Sequence, residues 1–164
     1  MQAGYSGKGM SNFLYMPSIN SYSGRNYMKL SFKEKSLWLV LASLVLAFGY
    51  YFATALPGHG PSVVSGDVYR FAVAVIVVVV LQITGHILIT IADRHTNTDE
   101  RDQIIGLKGT RNGNFILAIG VFLSLSTALL VEGNFAFTHV LLGFWILSHI
   151  VEIISQLIHY HRGA

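Results

Sequence analysis

The sequence predicts an all-α protein, a four-transmembrane-helix bundle built from two helical hairpins, and three observations predict it. Four apolar stretches, Leu37–Leu56, Val68–Ala92, Phe115–Val131 and Phe135–Ile158, fill more than half of the 164 residues. Each is about long enough to cross a hydrocarbon core of roughly 30 Å at a helical rise of about 1.5 Å per residue. The chain is 52% hydrophobic and 12% charged, with a mean hydropathy of +0.54. A soluble domain carries about twice that charged fraction, so this surface suits lipid. Finally, ten of the eleven Lys and Arg residues lie on one side of the stretches.

Ahead of the first span, residues 1–27 are rich in Gly, Ser, Asn and Tyr and have no apolar period. This segment is expected to be disordered, and it lacks the apolar run of a signal peptide. Met28 begins a lysine-bearing lead-in to the first span and is a natural alternative start, so the prefix is either native or an extension of the gene model. Residues 28–164 form the membrane domain. In the first span Ser43 with Ala47 and Gly49 with Ala53 are small residues four apart, a spacing that lets helices approach closely.

The second span contains Phe71-Ala-Val-Ala-Val-Ile-Val-Val-Val-Val-Leu81. Its β-branched residues suit a strand, but the uninterrupted stretch is far too long for one, and in lipid a helix satisfies its own backbone. The third span places Gly120, Ser124 and Ala128 four apart. A tight Glu132-Gly-Asn134 turn leads to the fourth, where Trp145, His149, Glu152, Gln156 and His159 follow one helical stripe flanked by Ser148 and Ser155.

Lys8, Arg25, Lys29, Lys33 and Lys35 precede the first span, Arg94, Arg101, Lys108 and Arg111 occupy the middle loop, and Arg162 lies in the tail. Arg70 alone is on the other side. The positive-inside rule therefore puts both termini and the middle loop in the cytoplasm, with the chain in the cell's inner (cytoplasmic) membrane. Basic residues that flank spans are topology determinants, and nucleic acid is not an expected partner.

The middle loop is the strongly charged segment. Asn97 or Thr98 would cap a helix with Asp99, Glu100 and Asp102 in its first turn. Ile104, Ile105 and Leu107 would face the membrane surface, and Lys108 and Arg111 the headgroups. Two readings follow: a short interfacial helix leading into the third span, or a partner-binding surface formed by Asp99, Glu100, Arg101, Asp102, Lys108 and Arg111.

Polar residues inside the spans supply the candidate site. An ionised carboxylate near mid-bilayer costs about 2.5–3.5 kcal/mol on insertion scales, so Glu152 must face the interior, be protonated or find a partner. Gln82, His86 and Thr90 share a face of the second span. Counted from the cytoplasmic ends, His86, His149 and Glu152 reach similar depth, which predicts one cluster with Gln82 and Gln156 nearby. Such a cluster could fix helix register through hydrogen bonds, relay protons or ions, or hold a metal or haem. A lone histidine pair is not a full ligand set, so no metal or cofactor is assigned.

Gly85-His-Ile-Leu88 and Ser148-His-Ile-Val151 share a small-His-Ile-aliphatic pattern, a candidate repeat relating two like-oriented hairpins. Ser31-Phe-Lys-Glu-Lys-Ser36, Gly85-His86, Asp99-Glu-Arg101 and the stretch from Gln156 to Arg162 together resemble a group of small uncharacterised bacterial four-span membrane proteins, DUF2178-like. The resemblance spans residues 28–164. Genes of that group often lie beside small helix-turn-helix regulators, which implies a membrane-partner or sensor role and supplies no chemistry.

With no cysteine, the chain has no disulfide, thiolate metal site or cysteine nucleophile. Nor is there a nucleophile–base spacing or a nucleotide loop. The expectation is a non-enzymatic, multi-pass regulatory or scaffold protein, in contact with membrane lipid and either homo-oligomeric or bound to a membrane or cytoplasmic partner. The alternative is a small oligomeric transporter or proton/ion pathway through the His/Glu cluster.

Overall fold

A computed structural model describes residues 31–92 and 100–162. They form four helices: α1 (Phe32–Ala55), α2 (Ser65–Ala92), α3 (Glu100–Leu130) and α4 (Phe135–Arg162). All four are long and apolar enough to cross a membrane, which marks the chain as a multi-pass membrane protein. The 1–27 segment, Met28, Asp99 and the expected caps Asn97 and Thr98 lie outside the described residues.

Ser31 opens α1 with a capping box: its Oγ accepts from the Glu34 backbone N–H at 3.2 Å, and the Glu34 carboxylate accepts from Ser31 N–H at 2.8 Å. Helix α2 is apolar around its circumference and buries only Asp67, Ala74 and Val78, the pattern of a helix solvated by lipid. At the turn before α4, Gly133 takes φ +85°. A side chain there would also strike Pro61, whose carbonyl accepts the Phe135 N–H at 3.0 Å.

The expected interfacial helix is not a separate element. Glu100 to Arg111 forms the first turns of α3, continuous with the third span. Gly106, Gly109 and Gly113 each weaken a helix by about 0.5–1 kcal/mol relative to alanine, and packing beside α4 offsets that cost. Ile105, expected at the membrane surface with Ile104 and Leu107, is instead 1% exposed, while Ile104 and Leu107 are exposed.

Packing runs in the order α2, α1, α4, α3: α1 lies against both α2 and α4, and α3 against α4. The core is built where α1 meets its neighbours, from Leu44, Phe48, Tyr51, Val78, Ile146 and Ile153. A two-fold repeat that puts α1 against α4 would also put α3 against α2. Among the described residues those helices do not meet, so the His-Ile pattern is not expressed as symmetric packing.

Candidate functional site: two polar ends and a groove

The residues expected to form one cluster divide between two helix pairs. On the α1–α2 side, the His86 Nδ1–H donates to the Gln82 carbonyl at 2.8 Å, so Nε2 accepts the Ser36 hydroxyl at 2.8 Å. On the α3–α4 side, Thr110 donates to the Glu152 carboxylate at 2.7 Å, Gln156 approaches the same oxygen at 3.5 Å, and His149 Nδ1 lies 3.5 Å from the other. His149 and Gln82 line a shared cleft of about 310 Å³. They are the link between the two sets. Among the described residues, no three His, Asp or Glu side chains converge as metal ligands.

Glu152 lies on the face of α4 that meets α3. It is level with Thr110 and Gly113, on the polar side of Phe115, where the apolar run of α3 begins. His86 is likewise level with Ser36, next to Lys35. Counting from the cytoplasmic ends put His86, His149 and Glu152 at similar depth in the inner half of the bundle, but could not tell which helix each would meet. Two further bonds join α3 to α4 in the same polar zone, Asn112 to Ser155 and Tyr160 to Asp102, each at 2.7 Å. Of the expected partner-binding residues, Glu100, Arg101 and Arg111 are exposed, Lys108 is half-buried, and Asp102 accepts from Tyr160.

The most completely built cluster sits at the opposite, loop end. Asp67, in the first turn of α2, is 1% exposed. One carboxylate oxygen accepts from His59 Nε2 at 2.8 Å and Arg70 Nη1 at 3.1 Å, and the other accepts the Val64 N–H at 3.1 Å. His59 Nδ1 faces the Pro57 carbonyl at 3.2 Å. Both ring nitrogens thus face acceptors. Arg70 gives the Asp67 carboxylate a cationic neighbour, and bonds from His59 and the Val64 N–H add the further partners a carboxylate needs out of water.

A ring stack extends this cluster to α4 and α1. His59 stacks on Phe135 at 4.8 Å, Phe135 on His139 at 3.9 Å, and His139 on Tyr51 at 5.8 Å. His139 Nδ1–H donates to the Phe135 carbonyl at 2.9 Å, so the Tyr51 hydroxyl donates to Nε2, also at 2.9 Å. Asn134 adds a 2.8 Å bond from its side-chain oxygen to Val63 N–H. The two loops and the ends of α1, α2 and α4 are thereby tied together.

Between the ends lies an apolar layer that includes Leu44, Phe48, Val78 and Ile146. Here a groove of about 450 Å³ runs between α2 and α4, floored by α1. Its lining is apolar except at the loop end, where Tyr51, Asp67, Thr138 and His139 converge. Trp145 borders both this groove and the cleft beneath it.

Sequence reasoning assigned no role to His59, Asp67, Tyr51 or His139. One signal was present: Asp67 and Arg70 are three apart at the head of the most apolar span, and an acid there needs partners. No protein-family model, curated protein or solved structure matches the chain.

Proposed function

We propose that this is a non-enzymatic membrane protein of two hairpins, with both termini and the α2–α3 connection in the cytoplasm, that serves as a regulatory or scaffold component. The observation that carries this reading is the length of α3. At about 1.5 Å per residue its 31 residues extend roughly 46 Å, well beyond a core of roughly 30 Å. Its polar end is held to α4 by side-chain bonds and presents Arg101, Lys108 and Arg111 beside Glu100 and Asp102. A stiff post of mixed charge suits docking by a soluble or membrane-anchored protein. The resemblance to the small bacterial four-span group points the same way.

Orientation and docking are tested together. The chain has no cysteine, so Arg111→Cys and Gly60→Cys give single labelling sites. A membrane-impermeant thiol reagent should reach the first only in inverted vesicles and the second only from the cell exterior. A photo-crosslinker at residue 111 in native membranes should then capture one recurring protein. Capture of lipid and the chain itself alone would remove the scaffold reading. The transport reading is weakened by the apolar layer between the polar ends. Proton flux in reconstituted vesicles that falls with Glu152→Gln would restore it.

A further inference from the structure

We propose that the α2–α4 groove binds an uncharged, hydroxyl-bearing amphiphile drawn from the membrane, with its hydroxyl at Tyr51 and Thr138, near Asp67, and its apolar body extending to Trp145. Small-molecule sites are clefts of roughly 300–1,000 Å³, mostly apolar, with a few convergent polar groups that fix orientation. At about 450 Å³ this groove fits that description, and its polar groups are confined to one end. If a group the size of water occupies roughly 30 Å³, the groove holds about fifteen such groups. That is room for one hydrocarbon chain or a compact ring system, and too little for a two-chain phospholipid.

The polar end selects the head group. Tyr51 and Asp67 are 3% and 1% exposed, and both line the groove. The phenol proton is committed to His139, so its oxygen offers a lone pair. Asp67, with partners in His59, Arg70 and the Val64 N–H, sets the charge of this end rather than receiving the ligand. Thr138 contributes a hydroxyl able to donate. A ligand hydroxyl, donor and acceptor at once, matches this set. An anionic head would meet the Asp67 carboxylate. A cationic head would compete with His59 and Arg70, already 2.8 and 3.1 Å from it. One wall of the groove is α2, a helix apolar around its circumference, which suits a ligand drawn from lipid.

Trp145 reports occupancy. The sequence has two tryptophans, and Trp38→Phe leaves Trp145 alone. Detergent-purified protein is titrated with a long-chain alcohol brominated at mid-chain, and with the matching carboxylate and alkylammonium. The alcohol should quench Trp145 fluorescence saturably, with the two charged probes at least about tenfold weaker. Thr138→Val should weaken the alcohol about tenfold with an unchanged thermal melt, and Tyr51→Phe should act in the same direction. Equal quenching by all three probes would reduce the groove to a seat for ordinary acyl chains. Linear, unsaturable quenching or none would remove the site. Protection of Trp145 that grows with protein concentration would assign the groove to a second copy of the chain.

Discussion

The α3–α4 contact and the α1–α2 contact hold helices together by opposite means. Along α3 the chain has removed side chains: Gly109, Gly113, Gly120 and Ser124 are all buried. A methyl group built at Gly113 would stand 2.8 Å from the Ser148 carbonyl oxygen, and one at Gly109 would stand 2.9 Å from that of Glu152. Close backbones then let short polar side chains bridge the helices, as Thr110 and Asn112 do. Along α1 and α2 the chain has kept its side chains. Phe48 and Tyr51 pack on Phe71 at 6.3 and 6.0 Å, and Gly85 is covered by the flexible side chain of Leu39. Lipid gives no hydrophobic drive for helices to associate, so close packing and hydrogen bonds decide. The glycine seam has both, which makes it the rigid half of the molecule.

Breaking that seam should have the largest effect. Gly113→Leu forces a branched side chain against backbone that cannot yield, and overpacking of this kind costs about 1–3 kcal/mol, occasionally more. Gly49 has open space around it, so Gly49→Leu is the matched control and should leave stability within about 0.5 kcal/mol. Thermal melts in one detergent compare the two. A sharper pair is Gly113→Ala against Gly85→Ala. The first methyl meets a carbonyl oxygen and the second a leucine side chain that can change rotamer, so the first should lose more. Equal losses would mean that the two seams yield alike and the contrast between them is false.

The membrane spans were readable from hydrophobicity because lipid requires long apolar helices, and all four appear. A helix at the start of α3 was also anticipated from its acidic first turn, but as a short interfacial element rather than as the first turns of the span itself. Asp, Glu, Lys and three glycines between residues 99 and 113 set this stretch apart from the apolar run that follows, which hid its continuity with the span. The spacing Gly109-Thr-Arg-Asn-Gly113 was a legible sign of close helix approach, passed over because it lies outside the apolar stretch. For the site, sharing of a helix face was correctly read for Glu152 and Gln156, because that is local geometry. Which helix each face meets is a tertiary fact. His86 was therefore assigned to Glu152, whereas its partner is Ser36.

The loop end offers an intermediate effect that bears on both seams, since it joins α1 to α4. His139→Phe keeps the ring stack but removes the acceptor for the buried Tyr51 hydroxyl, an orphaned group worth about 1–3 kcal/mol. Tyr51→Phe alone removes the donor, and His139 Nε2 is left as the unpaired member. The double variant should recover part of the loss, because replacing both partners with apolar groups of similar shape is nearly neutral. A double-mutant cycle by thermal melts measures this. Additive losses would show that the bond does not hold α1 against α4.

The smallest effect should come from the polar bonds at the terminal end, and it tests whether depth governs their worth. Ser36→Ala removes the partner of His86 on the side-chain-packed seam, and Thr110→Val removes a partner of Glu152 on the glycine seam. Side-chain bonds between membrane helices average about 0.6 kcal/mol. Both residues lie beside charged segments, where water can replace a lost partner, so each change should cost less than about 1 kcal/mol. The glycine seam predicts an order within that range. Thr110 is exposed and Gln156 remains near Glu152 at 3.5 Å, so Thr110→Val should cost less than Ser36→Ala. If Thr110→Val instead proved as damaging as Gly113→Leu, the carboxylate of Glu152 would have to be desolvated. The rigidity of the α3–α4 pair would then come from a polar bond rather than from the closeness of its backbones.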